Sequence, residues 1–255
     1  MKNFFITIGH SSLTIPQNLK NCINPSAILL ELVEPGLIEV CKNMQAKKVI
    51  FDLHRAILDI NRSRDNIDPK TNEKYPIERD IFPQIDFQGN DVYLKDSNLS
   101  DDEKEELLQK YYDPFFASID NLISSGEYEF FIDIHLMNNH SSGYEMKNPR
   151  PDICIGTLGD PDGEICLNRP STTIKPETAR EMKLVFENNK YSCNLNRPFA
   201  GGYIMMKYLT KFPCIQLEIN KKLLMDSDSG MPKLEKIKKL KEDLETIFEK
   251  IAKGS

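Results

Sequence analysis

Apolar positions along the chain fall into two periods. Short runs at Asn3–Ile8, Lys48–Leu53, Glu129–Leu136, Asp152–Thr157, Tyr191–Leu195 and Pro213–Ile219 read as strands, and the near-continuous run at Glu129–Leu136 has the pattern of a central strand buried on both faces. Between them apolar residues recur at helical spacing. One such segment runs from Ser26 to Met44 and is split by Glu34-Pro35-Gly36, which predicts Pro35 in the first turn of a second helix with Glu34 just ahead of it. Ser100-Asp101-Asp102-Glu103 is a capping box that starts a helix to about Ser124. Lys175–Asn188 is the next helix. The last covers about 233–252, with Leu234, Ile237, Leu240, Leu244, Ile247, Phe248 and Ile251 along one side. Ala56–Ile60 is expected to continue the second strand or pair with it, and Gly201-Gly202 to form a tight turn. The long polar stretch 61–98 has no strong periodicity, and an ordered loop of that length is usually functional. Strands alternating with helices predict a single α/β domain over 1–253 with a largely parallel sheet.

The polar residues that interrupt this pattern gather at strand ends. Asp133 and His135 lie two apart near the end of the most apolar run, so both point to one face of that strand. His10 follows the first strand, Glu218 sits near the end of the last, and Asn61-Arg62 opens the long loop. In an open α/β sheet the carboxyl ends of the strands converge on one edge, where ligands bind. Two histidines and a carboxylate around zinc leave a fourth position for water, and a further carboxylate such as Glu218 can act as general base on it. Any one of these residues alone is more often structural; the shared placement is what points to a site.

Composition narrows the partners. A net charge of −6 with no basic stripe argues against nucleic acid. The C-terminal lysines alternate with acids as on a solvated helix face. Six scattered cysteines without a CxxC pair predict reduced thiols in a cytoplasmic protein rather than a thiolate zinc site. The N-terminal segment MKNFFITIGH has too short an apolar run for a signal peptide or a membrane span, and no membrane partner is expected.

Six segments occur in order between residues 4 and 226: FFITIGHSSLTIP, HRAILDINRSRD, FFIDIHLMNNH, DICIGTLGDPDGEIC, NRPFAGGYI and IQLEINKKLLMD. Together they resemble the N-formylglutamate amidohydrolase family, most specifically in Asp59-Ile60-Asn61-Arg62, Pro198-Phe199-Ala200-Gly201-Gly202-Tyr203 and Gln216-Leu217-Glu218-Ile219. The resemblance implies a three-layer α/β/α sandwich of the zinc-exopeptidase, phosphorylase/hydrolase-like kind around a mixed, mostly parallel sheet. It implies one Zn²⁺ per chain and a small-molecule substrate, an N-formyl or other N-acyl amino acid. His10 and His135 match the family's histidine ligands. Glu34 lies where the family has an acidic residue, with Glu31 in reserve. Glu218 matches the glutamate that activates water. Asn61 and Arg62 resemble a carboxylate-binding pair, and a guanidinium fork suits a carboxylate because it donates two parallel hydrogen bonds. Arg55 and Arg197 are further candidates for the substrate's acid end.

The chain departs from the family's pattern at Gly9-His10-Ser11-Ser12, where Pro-His-Ser-Gly is usual, and at Leu136, where a serine often follows the second histidine. Leu13 stands where zinc carboxypeptidases place a glutamate. These changes bear on the substrate more than on the metal. Asp133 reads as a residue that fixes the site rather than a ligand. His54 reads first as a core or surface histidine, His140 as solvent-facing, and Arg64 as a surface ion-pair partner. Two alternatives use the same residues: a zinc carboxypeptidase or peptidoglycan-type amidase with a larger pocket, and a non-catalytic binding protein that keeps the fold.

Overall fold

The structure is a computed structural model that describes residues 3–25, 32–86, 89–95, 97–139, 149–167, 169–226 and 230–253. Its core is a mixed, mostly parallel six-stranded sheet flanked by helices. The strands are β1 (Phe4–Ile8), β2 (Lys47–Ile50), β5 (Phe130–Met137), β6 (Ile153–Gly156), β7 (Cys193–Leu195) and β8 (Cys214–Asn220), in the order β2-β1-β5-β8-β6-β7. β3 (Ile67–Asp68) and β4 (Glu73–Lys74) form a separate antiparallel hairpin. β5 and β8 run parallel with His135 opposite Glu218, whereas β6 runs antiparallel to β8 with Cys154 opposite Glu218. Every residue of β5 and β8 is buried, including the polar Asp133, His135, Gln216, Glu218 and Asn220 that interrupt their apolar runs.

The chain clusters into two compact units, the first formed by Met1–Thr7, Gly36–Lys48 and Gly126–Ser255. In this unit the alternation of side chains along the strands sorts the aromatic residues. Phe5 and Phe131 stack at 5.2 Å, and Tyr208 of α5 (Tyr203–Tyr208) meets Phe131 edge-on at 5.4 Å. Phe4 and Phe130 point the other way, where Phe248 of α6 (Leu234–Lys253) meets Phe4 edge-on at 5.6 Å. Each ring contributes about 1.5–3 kcal/mol by burial, and the two sets fix which face of the sheet each helix covers. Thr7, Asp133 and His135 share the parity of Phe5 and Phe131, so they lie on the α5 face. α4 (Pro176–Asn188) starts with proline, whose missing N–H costs nothing in a first turn. Leu234, expected on the apolar side of the last helix, is 76% exposed because it is the first helical residue, ahead of the turn at Ile237 that meets the core.

The second unit comprises Ile8–Pro35 and Val49–Ser125. The capping box forms as read: Glu103 N–H donates to Ser100 Oγ and Ser100 N–H to Glu103 Oε2. It opens α2 (Asp101–Leu107), which passes through a π-helical turn at Leu108–Tyr112 into α3 (Asp113–Ser124). Phe115 of α3 packs edge-on against Phe51. The long polar stretch holds the β3–β4 hairpin.

Three expectations are corrected. Pro35 is not helical: α1 (Leu37–Cys41) begins after Gly36, which takes φ +87°, a conformation cheap only for glycine. Ala56–Ile60 neither extends nor pairs with a strand. It is a buried chain of turns whose amides are met outside any sheet, Ile57 N–H donating locally to His54 O and Asp59 N–H to the distant Ile81 O. Gly201-Gly202 does not simply turn; it leads into α5, a helix too short to show a period in the sequence.

Candidate functional site

In the second unit the chain leaves β1 and places His10 in a buried loop, 2% exposed. The loop is tied to the segment carrying Glu34: Glu34 N–H donates to His10 O, and Ser11 Oγ–H to Glu34 O. His10 Nε2 lies 2.8 Å from Asp59 Oδ1, and Nδ1 lies 3.3 Å from Glu34 Oε1. Asp59 is the hub of the turn that follows β2. Its Oδ1 also accepts the N–H of Asn61, and its Oδ2 accepts Nε and Nη2 of Arg55 at 3.2 and 2.9 Å. Arg62 Nη2 stands 3.5 Å from the same oxygen.

Burial alone would raise the Asp59 pKa, but Arg55, Arg62 and His10 outweigh it and hold the carboxyl well below the usual range. An ionised Asp59 accepts a proton from Nε2, which leaves the lone pair of His10 on Nδ1, facing a Glu34 oxygen. Two acceptors facing each other in a buried site call for positive charge, either a proton on His10 or a metal ion. The donor set of imidazole nitrogen and carboxylate oxygen fits zinc.

The first unit repeats the device. His135 Nε2 lies 2.8 Å from Asp133 Oδ2, and Asp133 Oδ1 accepts the hydroxyl of Thr7 at 2.7 Å. Fixing Nε2 as donor again leaves Nδ1 with the lone pair. Beside it on β8, Gln216 Nε2 donates to Glu218 Oε1 at 2.6 Å. Cys154, opposite Glu218, has its thiol pushed up to about 12 by burial, so it stays protonated and donates to Phe199 O. Among the described residues, His10, Glu34 and His135 are a buried group that could hold a metal ion.

The family model of the N-formylglutamate amidohydrolases matches residues 3–225. The chain belongs to the N-formylglutamate amidohydrolase family. It is similar in fold to the crystal structure of N-formylglutamate amidohydrolase from Ralstonia eutropha, with a TM-score of 0.78 at 18% identity, covering 99% of this chain and 93% of that one. A gene product of Agrobacterium tumefaciens follows with a TM-score of 0.66 at 16% identity, covering 99% and 91%. At these identities the likeness is one of fold. No curated protein matches by sequence.

Within this amidohydrolase the other sequence candidates divide clearly. Asn61 is buried, and Arg55 and Arg62 both turn onto Asp59. Arg62 also donates to Arg79 O and Asn61 O and lies 5.3 Å from the Tyr75 ring centroid. Arg197 is exposed, just before a cis peptide to Pro198. His54 is fully buried, with Nδ1 accepting Ala56 N–H, a core role. Arg64 bridges Glu105 and Asp113 at the surface. Glu31 and His140 lie outside the described residues. Sequence reasoning gave no role to Asp59, Thr7 or Gln216. For Asp59 the signal was present in Asp59-Ile60-Asn61-Arg62, and for Gln216 in its position two residues before Glu218 on the same strand face.

Proposed function

We propose that this amidohydrolase is a zinc-dependent enzyme that cleaves the amide bond of an N-formyl or other N-acyl amino acid such as N-formylglutamate. The observation that carries the proposal is the pair of carboxylate-anchored histidines, Asp59–His10 and Asp133–His135. Each is the outer half of a carboxylate–histidine–metal arrangement, which raises the basicity of the ligand nitrogen and fixes the ring. His10, Glu34 and His135 would hold the ion. When bound, zinc supplies Lewis acidity toward the acyl oxygen and the attacking water.

The chain's own groups do the rest. Glu218, buried and held as an acceptor by Gln216, takes the proton of the attacking water and returns it to the leaving nitrogen. Arg62, with Asn61, Arg55 and Arg197, receives the substrate's carboxylates. In the second unit two guanidinium groups stand against the single carboxylate of Asp59, which leaves cationic donors for a substrate carboxylate. We place the enzyme in the cytoplasm, on the strength of six free cysteines. Among the described residues no helix is long and apolar enough to cross a membrane.

Elemental analysis of the purified protein, with hydrolysis of N-formyl-L-glutamate followed alongside, tests the proposal. About one zinc per chain is expected. His135→Ala should lose the metal, whereas Glu218→Gln should keep it and lose turnover by about 10²–10⁴-fold. No zinc after incubation with it, or full activity in either variant, would refute the assignment.

A further inference from the structure

Gln216 is 4% exposed in the middle of β8, a position where a polar side chain must meet partners of its own. Its two ends do different things. Oε1 accepts the backbone N–H of Gly202 at 2.8 Å, and Nε2 donates to Glu218 Oε1 at 2.6 Å. The direction of this chain of bonds is not adjustable. A backbone N–H can only donate, so Gln216 must turn its oxygen to Gly202 and its NH₂ to Glu218. Glu218 Oε1 is therefore held as an acceptor, in an orientation set by a main-chain amide 14 residues upstream of Gln216.

The segment that supplies that amide is itself seated on the sheet. Phe199 O accepts the Cys154 thiol, and Ala200 O accepts the N–H of Leu158 at 2.7 Å. Gly156 lies beneath it: a Cβ there would fall 2.9 Å from the carbonyl carbon and oxygen of Ala200, so only glycine lets the backbone come this close. Gly156 and Gln216 are paired in the β6–β8 register, as are Cys154 and Glu218. The glycine, the thiol and the carboxamide thus hold one stretch of main chain at a fixed height beside the proposed base.

We propose that Gln216 is a positioning residue for Glu218, transmitting the orientation of the Phe199–Gly202 segment to the carboxylate. It rests on the assignment of Glu218 as general base. Losing it affects the step in which the proton moves, while leaving metal binding and substrate capture in place.

The test compares wild type with Gln216→Met, which keeps the length of the side chain and removes both hydrogen bonds. With N-formyl-L-glutamate, kcat should fall about 10–100-fold with KM changed less than about threefold. Zinc content should equal that of wild type. A kcat within twofold of wild type, or a loss of zinc parallel to the loss of kcat, would overturn the proposal. A second measurement needs no turnover. In the ¹⁵N-labelled metal-free protein the side-chain NH₂ of Gln216, assigned by its absence in Gln216→Met, should have one proton shifted downfield by its short hydrogen bond to Glu218. That shift should collapse in Glu218→Leu, and an unchanged resonance there would show that the bond to Glu218 does not form. A wild-type enzyme without amidohydrolase activity would refute the proposed function. The NMR comparison would then decide the Gln216 contact by itself.

Discussion

Asp59→Asn keeps the shape of the hub and removes its charge, so it separates electrostatics from packing. In the wild type Arg55 donates twice to Oδ2, Arg62 faces the same oxygen, and His10 and the Asn61 amide meet Oδ1. Removing one partner of a buried ion pair costs about 3–5 kcal/mol. Here the arginine side chains are 15% and 16% exposed, so water recovers part of that cost. A loss of about 2–3 kcal/mol is expected, read as a lower denaturant midpoint at unchanged m-value.

The second effect is chemical. An asparagine amide can donate to His10 Nε2, which the carboxylate cannot. That drives the imidazole proton to Nδ1, the nitrogen that faces Glu34 and would bind the proposed zinc. Zinc affinity should therefore fall about 10–100-fold, measured by competition with a chromophoric chelator. Asp133→Asn should act on His135 in the same way. A variant at Asp59 that binds zinc as tightly as wild type, whatever its stability, would refute the tautomer argument. One that unfolds at the wild-type midpoint would refute the charge argument separately.

Two further outcomes follow from contacts in the first unit. Asp152 is half-shielded: burial would raise its pKa, but Lys222 and Ser192 outweigh this and lower it. A carboxyl lowered by folding adds stability that is complete above its unfolded pKa and is lost as pH falls through its folded pKa. Asp152→Asn should thus cost about 0.5–1 kcal/mol at pH 7, and the gap to wild type should close below about pH 4; a gap that widens in acid would contradict the assignment. Gly156→Ala puts a methyl group against the Ala200 main chain, so it should destabilise the fold by about 1–3 kcal/mol and lower kcat by displacing the Gly202 amide. Thermal melts and steady-state kinetics on one preparation would check both effects.

The middle of the sheet was legible because β5, β6 and β8 are buried along their whole length, and such strands write themselves as largely apolar runs. β5, β8 and the final helix appear where the pattern put them, to within a residue or two. Elements whose form depends on one backbone angle or on distant contacts were not legible. The start of α1 is set by the positive φ of Gly36, and the turns of Ala56–Ile60 are apolar only because the core surrounds them. Nothing in a six-residue segment such as Tyr203–Tyr208 distinguishes a helix from a loop before its packing is known.

The two anchored histidines show why one half of the candidate site was easier to read than the other. His135 takes its carboxylate from Asp133, two residues away on the same strand, and the period of a strand is enough to put the two groups side by side. His10 takes its carboxylate from Asp59, 49 residues on, across a turn that no periodicity describes. The chemistry is the same in both: a carboxylate on Nε2 that fixes the tautomer and leaves Nδ1 basic. A sequence motif can therefore announce the first and conceal the second, although Asp59 carries the heavier electrostatic load, with two arginines, a histidine and a main-chain amide all directed at its carboxylate. In this chain the Asp59-Ile60-Asn61-Arg62 stretch is a structural hub first. The arginine beside it, proposed to receive a substrate carboxylate, has its place set by the aspartate.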